Sequence, residues 1–256
     1  MTLTQSTILA VIEGLTEFLP VSSTGHMILA SAVMKMQETE FEKSFKIAIQ
    51  LGAVLSIALI YARQFLNGIS LYRKLAVAFL PTAIIGSLAY HTIKTYLLNN
   101  HTLVAVSLIV GGAILILVDK RATHKASATP SLEMISYKNA FFIGLIQCVS
   151  MIPGVSRAAA TIIGGIFNGL DKKQATEFSF LLAVPTMCAA TGYDLLKTPL
   201  TFSVFEVKLL LLGSAIAFAV AGITVLIFRS LVERYGFKHF GYYRIAVGLI
   251  FLLTMS

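Results

Sequence analysis

A chain of 256 residues that is 57% hydrophobic and only 12% charged has too little polar side-chain surface to cover a soluble fold of its size. Its formal net charge of +8 calls for no nucleic-acid partner, because loop lysines and arginines of a membrane protein report topology and contact with anionic lipid. The apolar runs recur along the whole length, which excludes a soluble domain with a single anchor and predicts an all-α polytopic membrane protein.

In chain order, the first apolar segment, 6 to 34, is interrupted by "EGLTEFLPVSSTGH" (13 to 26). No basic residue precedes it and Glu13 breaks it, so it does not read as a cleavable signal and is expected to stay in the mature protein. Three candidate spans follow, at 44 to 62, 75 to 93 and 103 to 118. The last, "LVAVSLIVGGAILILV", lacks the polar face of a surface helix. A second interrupted segment, 140 to 169, carries "PGVSRAAAT" (153 to 161) and precedes spans at 176 to 196, 207 to 229 and 241 to 255. Gly111-Gly112 and "GGIFNG" (164 to 169) read as close helix packing. Cys148 and Cys188 read as small buried hydrophobes without metal-ligand spacing, and Glu42 and Glu177 as the starts of corresponding helices. His91, His101, His124 and His239 lie at span ends or in loops.

The two series are copies. "EKSFKIAI" (42 to 49) returns as "EFSFLLAV" (177 to 184) at an offset of 135, "PVSS" (20 to 23) as "PGVS" (153 to 156) at 133, and "GLTE" (14 to 17) more loosely as "GLIQ" (144 to 147). This predicts one membrane domain made of repeat one (1 to 118), a cytoplasmic linker (119 to 139) and repeat two (140 to 256). Pro, Gly and Ser make each interrupted segment a poor straight helix, and both are read as re-entrant hairpins. Irregular backbone at membrane depth survives only where protein or a wet cavity protects it. With three spans per half, the second half must run opposite to the first: six transmembrane helices plus two re-entrant hairpins in an inverted-topology repeat. On this layout Arg63, Arg73, Lys74, Lys120, Arg121, Lys125, Lys138, Lys172, Lys173, Arg229, Arg234 and Lys238 share one face, against Lys35, Lys43, Lys46, Lys94, Lys197 and Lys208 on the other. The richer face is expected to be cytoplasmic, which puts both termini and the mouth of the first hairpin outside.

Glu13 and Glu17 are one helical turn apart, and carboxylates this costly in lipid should face the interior. Such a pair shares a proton, recruits a metal or meets a cation; hydrogen bonding to nearby backbone is the structural alternative. Ser22, Ser23 and Thr24 are each ordinary helix caps taken singly, yet hydroxyls and free N–H groups at a helix start also suit phosphate. His26 adds a group that exchanges protons near neutrality, or is simply a satisfied interior histidine. Arg157 is read as the one arginine set deep in an apolar segment, with Ser156 beside it and Thr161 one turn on. Its planar fork fits phosphate, or an ion pair with Glu13 or Glu17. Gln147, in the echo of the acidic motif, joins Ser22, Thr24, Ser156 and Thr161 as a candidate phosphate contact.

"EGLTEFLPVSSTGH" together with "PGVSRAAAT" resembles the paired signature of the BacA-type undecaprenyl-diphosphate phosphatases over nearly the whole chain. The resemblance implies hydrolysis of undecaprenyl diphosphate, dependence on a divalent cation (Mg2+ or Ca2+), a homodimer in the bacterial inner membrane, a site reached from the outer side, and bacitracin resistance. By position, Glu13 and Glu17 match the family's acidic pair, Ser23 and His26 its proposed catalytic serine and histidine, and Arg157 its arginine. The family pattern has a serine after that arginine, where this chain has Ala158.

Ser23 is then the expected nucleophile and Glu17 the first choice of base, with His26 second. Arg157 would stabilise the transferring phosphate, and Glu13, with Glu17, would hold the cation. Water could instead attack directly, without a seryl intermediate. The rival function is a lipid-phosphate transporter or flippase, since inverted repeats with broken helices are transporter devices.

Overall fold

The computed structural model describes residues 1–37, 39–66, 69–97, 100–121, 132, 135–197 and 202–255. Of the linker beyond Arg121, residues 122–131, 133 and 134, with His124 and Lys125 among them, lie outside the described residues. The described chain is helical: α1 (Leu3–Thr16), α2 (Ser23–Val33), α3 (Glu40–Ile60), the short α4 (Ala62–Leu66), α5 (Ile69–Thr92), α6 (His101–Arg121), α7 (Tyr137–Gln147), α8 (Arg157–Phe167), α9 (Lys172–Lys197), α10 (Val204–Tyr235) and α11 (Lys238–Met255).

Helix starts are encoded locally. The Thr2 and Ser203 hydroxyls accept from N–H groups three residues on, while the Gln5 and Glu206 side chains accept from the two cap N–H groups, so reciprocal caps open α1 and α10. Thr39 and Ser136 cap α3 and α7. Both interrupted segments break as expected: the first between α1 and α2, the second between α7 and α8 through a single 3-10 turn, Cys148–Met151.

Five helices, α3, α5, α6, α9 and α10, are long and apolar enough to cross a bilayer, which makes this a multi-pass membrane protein. The sixth expected span, 241 to 255, is also a helix, but Lys238, His239 and Arg244 leave α11 less apolar than those five. Two ends moved. α5 starts at Ile69 rather than 75 because Arg73 and Lys74 join the helix, with Lys74 buried and its ammonium 6.0 Å from the Tyr137 ring centroid. α10 runs to Tyr235 rather than 229, carried by Arg229 and Glu233 one turn apart, and stops where Gly236 takes φ 70°.

Packing exchanges the two halves. α1 packs on α10 and α7 on α5; α3 packs on α10 and α9 on α5; α3 meets α9, and α6 meets α11. Each contact maps onto another, or onto itself, when α1, α2, α3, α5 and α6 are swapped with α7, α8, α9, α10 and α11. The core lies where α3, α9 and α10 converge, around Phe45, Ile49, Phe178, Phe180 and Phe228, all essentially inaccessible. Gly14 and Gly144 sit where the first helix of each hairpin closes on its partner: Gly14 against Ala217 and Val220 of α10, Gly144 against the backbone of Ala78 in α5. Gly111 and Gly112 admit Arg244 and Gly241 of α11, and Gly165 admits Ala175, so both glycine pairs are packing sites.

Side-chain contacts tie helix ends together in two groups. In one, Asp119 accepts from Lys172 at 2.6 Å and from the Phe237 N–H at 2.8 Å, Lys173 meets Glu233 at 3.2 Å, and Asn139 at the start of α7 donates to the carbonyl of Asn168 just past α8 at 3.1 Å. In the other, the Phe41 and Phe202 rings lie 5.5 Å apart and Tyr90 donates to Asp194 at 2.7 Å. Glu177 lies inside α9 rather than at its start, because Lys172 opens that helix, and it pairs with Arg229 at 3.1 Å. Cys188 is exposed and Cys148 only half-buried, both as free thiols, so neither is the buried hydrophobe expected.

Candidate active site

The two hairpin breaks are built alike. Ser22 and Ser156 are two of the three non-glycine residues with positive φ among the described residues, at 73° and 74°, and each caps the helix that follows. The Ser22 hydroxyl accepts from the Gly25 N–H at 3.4 Å, and the Ser156 hydroxyl from the Ala159 N–H at 3.2 Å. The structural offset between the breaks is therefore 134, not 133. Ser23 and Arg157, the first residues of α2 and α8, are equivalents.

These two positions meet across the fold. The Ser23 Oγ donates to Glu17 Oε2 at 2.5 Å, and Arg157 Nη2 donates to Glu17 Oε1 at 3.0 Å. Arg157 Nη1 is held by the Ser179 carbonyl at 2.9 Å, and its guanidinium lies 5.6 Å from the Phe18 ring centroid. The Thr161 hydroxyl donates to Ser179 Oγ at 2.6 Å, so it supports the arginine's platform. Glu17 continues α1 by one residue, its N–H bonded to the Glu13 carbonyl at 2.9 Å. Glu13, one turn back, is fully buried with neither carboxylate oxygen hydrogen-bonded, and Arg157 Nε is buried without an acceptor. A buried acceptor pair and a buried donor left unmatched are costly unless something else satisfies them.

Not every expected residue joins this cluster. His26 turns away from Ser23: its Nδ1 lies 2.8 Å from the Ser22 carbonyl and its Nε2 2.8 Å from the Tyr243 hydroxyl, with the two rings stacked. Nδ1 must then carry the proton, and the tyrosine donates to Nε2. The Ser22 and Ser156 oxygens accept from cap N–H groups, which leaves each O–H able to donate. Thr24 is the half-buried second residue of α2. Gln147 is fully buried elsewhere, donating to Thr82 at 2.6 Å and Thr186 at 3.4 Å between α5 and α9.

Three residues escaped sequence reasoning. Ser179 was inside a recognised repeat word, and only its contact with Arg157 reveals its use. Tyr243 lies among other tyrosines without a distinguishing pattern. Arg244 corrects the view that Arg157 is alone in an apolar segment. It is fully buried and donates to five backbone carbonyls: Leu108, Pro20, Val155, Ser107 and Gly154, at 2.9 to 3.3 Å. A charge count along the chain would have found it, in the run "GYYRIAVGLIFLL" (241 to 253).

As for a cation, no group of three or more His, Cys, Asp or Glu side chains forms a metal-ligand cluster among the described residues. The buried carboxylate of Glu13, unmatched and one turn from Glu17, has the oxygen donors that a hard divalent cation takes.

The model of the family described as "Bacitracin resistance protein BacA" matches residues 6–250. An undecaprenyl-diphosphatase of Bdellovibrio bacteriovorus is 49% identical over 248 residues, covering 97% of this chain and 94% of that protein. One from Persephonella marina is 46% identical over 256 residues, covering 99% of each, and one from Aquifex aeolicus is 43% identical over 251 residues, covering 98% of each. With matched hairpin breaks presenting Ser23 and Arg157 to a shared glutamate, and with similarity running through almost its entire length, the chain belongs to the BacA family.

Proposed function

We propose that this protein is an undecaprenyl-diphosphate phosphatase, converting undecaprenyl diphosphate to undecaprenyl phosphate and inorganic phosphate and so recycling the lipid carrier of cell-wall synthesis. Removing the lipid diphosphate that bacitracin sequesters accounts for the resistance in the family's description. The observation that carries this reading is the Ser23–Glu17–Arg157 chain, with one unmatched donor on Arg157 and unmatched acceptors on Glu13. An anion meets the donor, and a cation meets the acceptors. A diphosphate accompanied by a divalent cation would supply both.

Arg157 turns its free Nε–H to the terminal phosphate, and as the guanidinium shifts toward that charge its grip on Glu17 loosens. Glu17 then takes the Ser23 proton, Ser23 Oγ bonds to the terminal phosphorus, and the bond from phosphorus to the bridging oxygen breaks, releasing polyprenyl phosphate. Glu17 passes that proton to the departing polyprenyl phosphate and then takes one from water as the water oxygen bonds to phosphorus; the bond from phosphorus to Ser23 Oγ breaks, Oγ recovers a proton from Glu17, and inorganic phosphate leaves. Arg157 and the N–H groups opening α2 and α8 stabilise the charge on the transferring group. Glu13 would hold the divalent cation, whose contribution would be to neutralise diphosphate charge, leaving Glu17 as the base. His26 shapes the opposite side of α2 through Tyr243 rather than serving as base.

The exchanged helix pairs support an inverted repeat of six transmembrane helices and two re-entrant hairpins, and Asn139 bridging the two ends of the second hairpin supports its return to one face. The excess of basic residues on that face favours a cytoplasmic position for it, with the mouth of the first hairpin outside the inner membrane. A homodimer is the expected assembly. Purified protein in detergent, given a polyprenyl diphosphate, should release phosphate and stop when EDTA is added. No phosphate release with active-state cation present would overturn the hydrolase reading in favour of a lipid-phosphate carrier, because detergent leaves no sides to transport between.

A further inference from the structure

Arg244 spends all its guanidinium N–H groups on backbone carbonyls. Nη1 reaches Pro20 at 3.0 Å and Val155 at 2.9 Å; Nη2 reaches Gly154 at 2.9 Å and Ser107 at 3.1 Å; Nε reaches Leu108 at 3.3 Å. Pro20 and Gly154 are equivalents at the offset of 134 that pairs Ser22 with Ser156. Each carbonyl lies three residues before the residue its hairpin brings to the site, Ser23 or Arg157. A buried guanidinium costs several kcal/mol unless its donors are matched, and here three of the matching carbonyls, Pro20, Gly154 and Val155, lie in the two breaks, while Ser107 and Leu108 belong to α6.

We propose that Arg244 is a positioning residue for hydrolysis, one planar group clamping equivalent carbonyls of the two hairpin tips so that Ser23 and Arg157 address the same phosphate. This rests on the reading that those two residues act on one phosphate. A lysine cannot replace it, because a compact ammonium with three donors cannot span five carbonyls arranged around a plane. The clamp also has a milder perturbation. A methyl added at Gly111 would collide with Nη2 and push it from Ser107 and Gly154 while leaving the charge in place.

The test uses purified full-length protein with Cys148 and Cys188 changed to Ser, and nitroxides at Val33→Cys and Phe167→Cys, exposed positions at the far ends of α2 and α8. Arg244→Lys should lower kcat about a hundredfold and Gly111→Ala about tenfold, the scale set by ångström misplacement of reacting groups, with KM nearly unchanged. In both variants the nitroxide distance distribution should broaden. A fall in kcat without broadening, or broadening with kcat intact, overturns the proposal. If Arg244→Lys does not fold, Gly111→Ala decides by the same two readings. If unsubstituted protein releases no phosphate, the hydrolase reading fails on its own, and the nitroxide distances still decide whether Arg244 clamps the hairpins.

Discussion

At the residue scale, the site divides into groups that meet substrate and groups that hold those in place. Ser23→Ala removes the attacking oxygen and should cut phosphate release by about four orders of magnitude or more; labelled phosphate, quenched under conditions that preserve an ester, should mark Ser23 in the unsubstituted enzyme. Arg157→Ala should cost about a thousandfold or more in kcat, as for other arginines that stabilise transferring phosphoryl groups. Glu13→Gln keeps shape but loses charge, and should lower turnover by about a hundredfold or more while abolishing the response to added Mg2+ or Ca2+. All three variants should elute as monodisperse, folded protein. The acidic pair, the serine and the arginine were legible in the sequence because charge in an apolar segment is expensive and therefore conspicuous. The orientation of His26 was not, since it depends on Tyr243, which is 217 residues away.

At the element scale, periodic apolarity and the Pro, Gly and Ser interruptions were enough to locate both helix breaks and a helix over each of the six expected spans. What could not be read was register. The repeat words placed the breaks one residue out of step, because Val21-Ser22 and Val155-Ser156 match at 134 while the prolines beside them match at 133. Only the paired positive φ values settle which residues correspond. Nor does sequence say which glycines are contacts. Gly144 lies against the backbone of Ala78, so its Cβ would meet main chain that has no room to yield. Gly144→Leu should therefore force α7 off α5, cost about 1 to 3 kcal/mol of overpacking strain, and lower the thermal midpoint in detergent. Gly192 has nothing near it, and Gly192→Ala should leave the midpoint unchanged or raise it slightly.

At the scale of the whole molecule, the two groups of tied helix ends correspond to the two faces of the proposed topology, which thiol labelling can read. In spheroplasts, a membrane-impermeant thiol reagent should label Leu196→Cys and Val204→Cys, both strongly exposed at one end, and leave Ile69→Cys, exposed at the other, untouched. The reverse pattern would invert the proposed orientation. Ser23 and Arg157 occupy the same place in two copies of one frame, and that has a consequence for how such a site can arise. Two identical halves facing each other would present two serines or two arginines, an arrangement with either no cation for the phosphate or no nucleophile to attack it. Joining the copies in a single chain lets each position be inherited separately, so that division of labour between twins becomes possible where a symmetric pair of chains would forbid it.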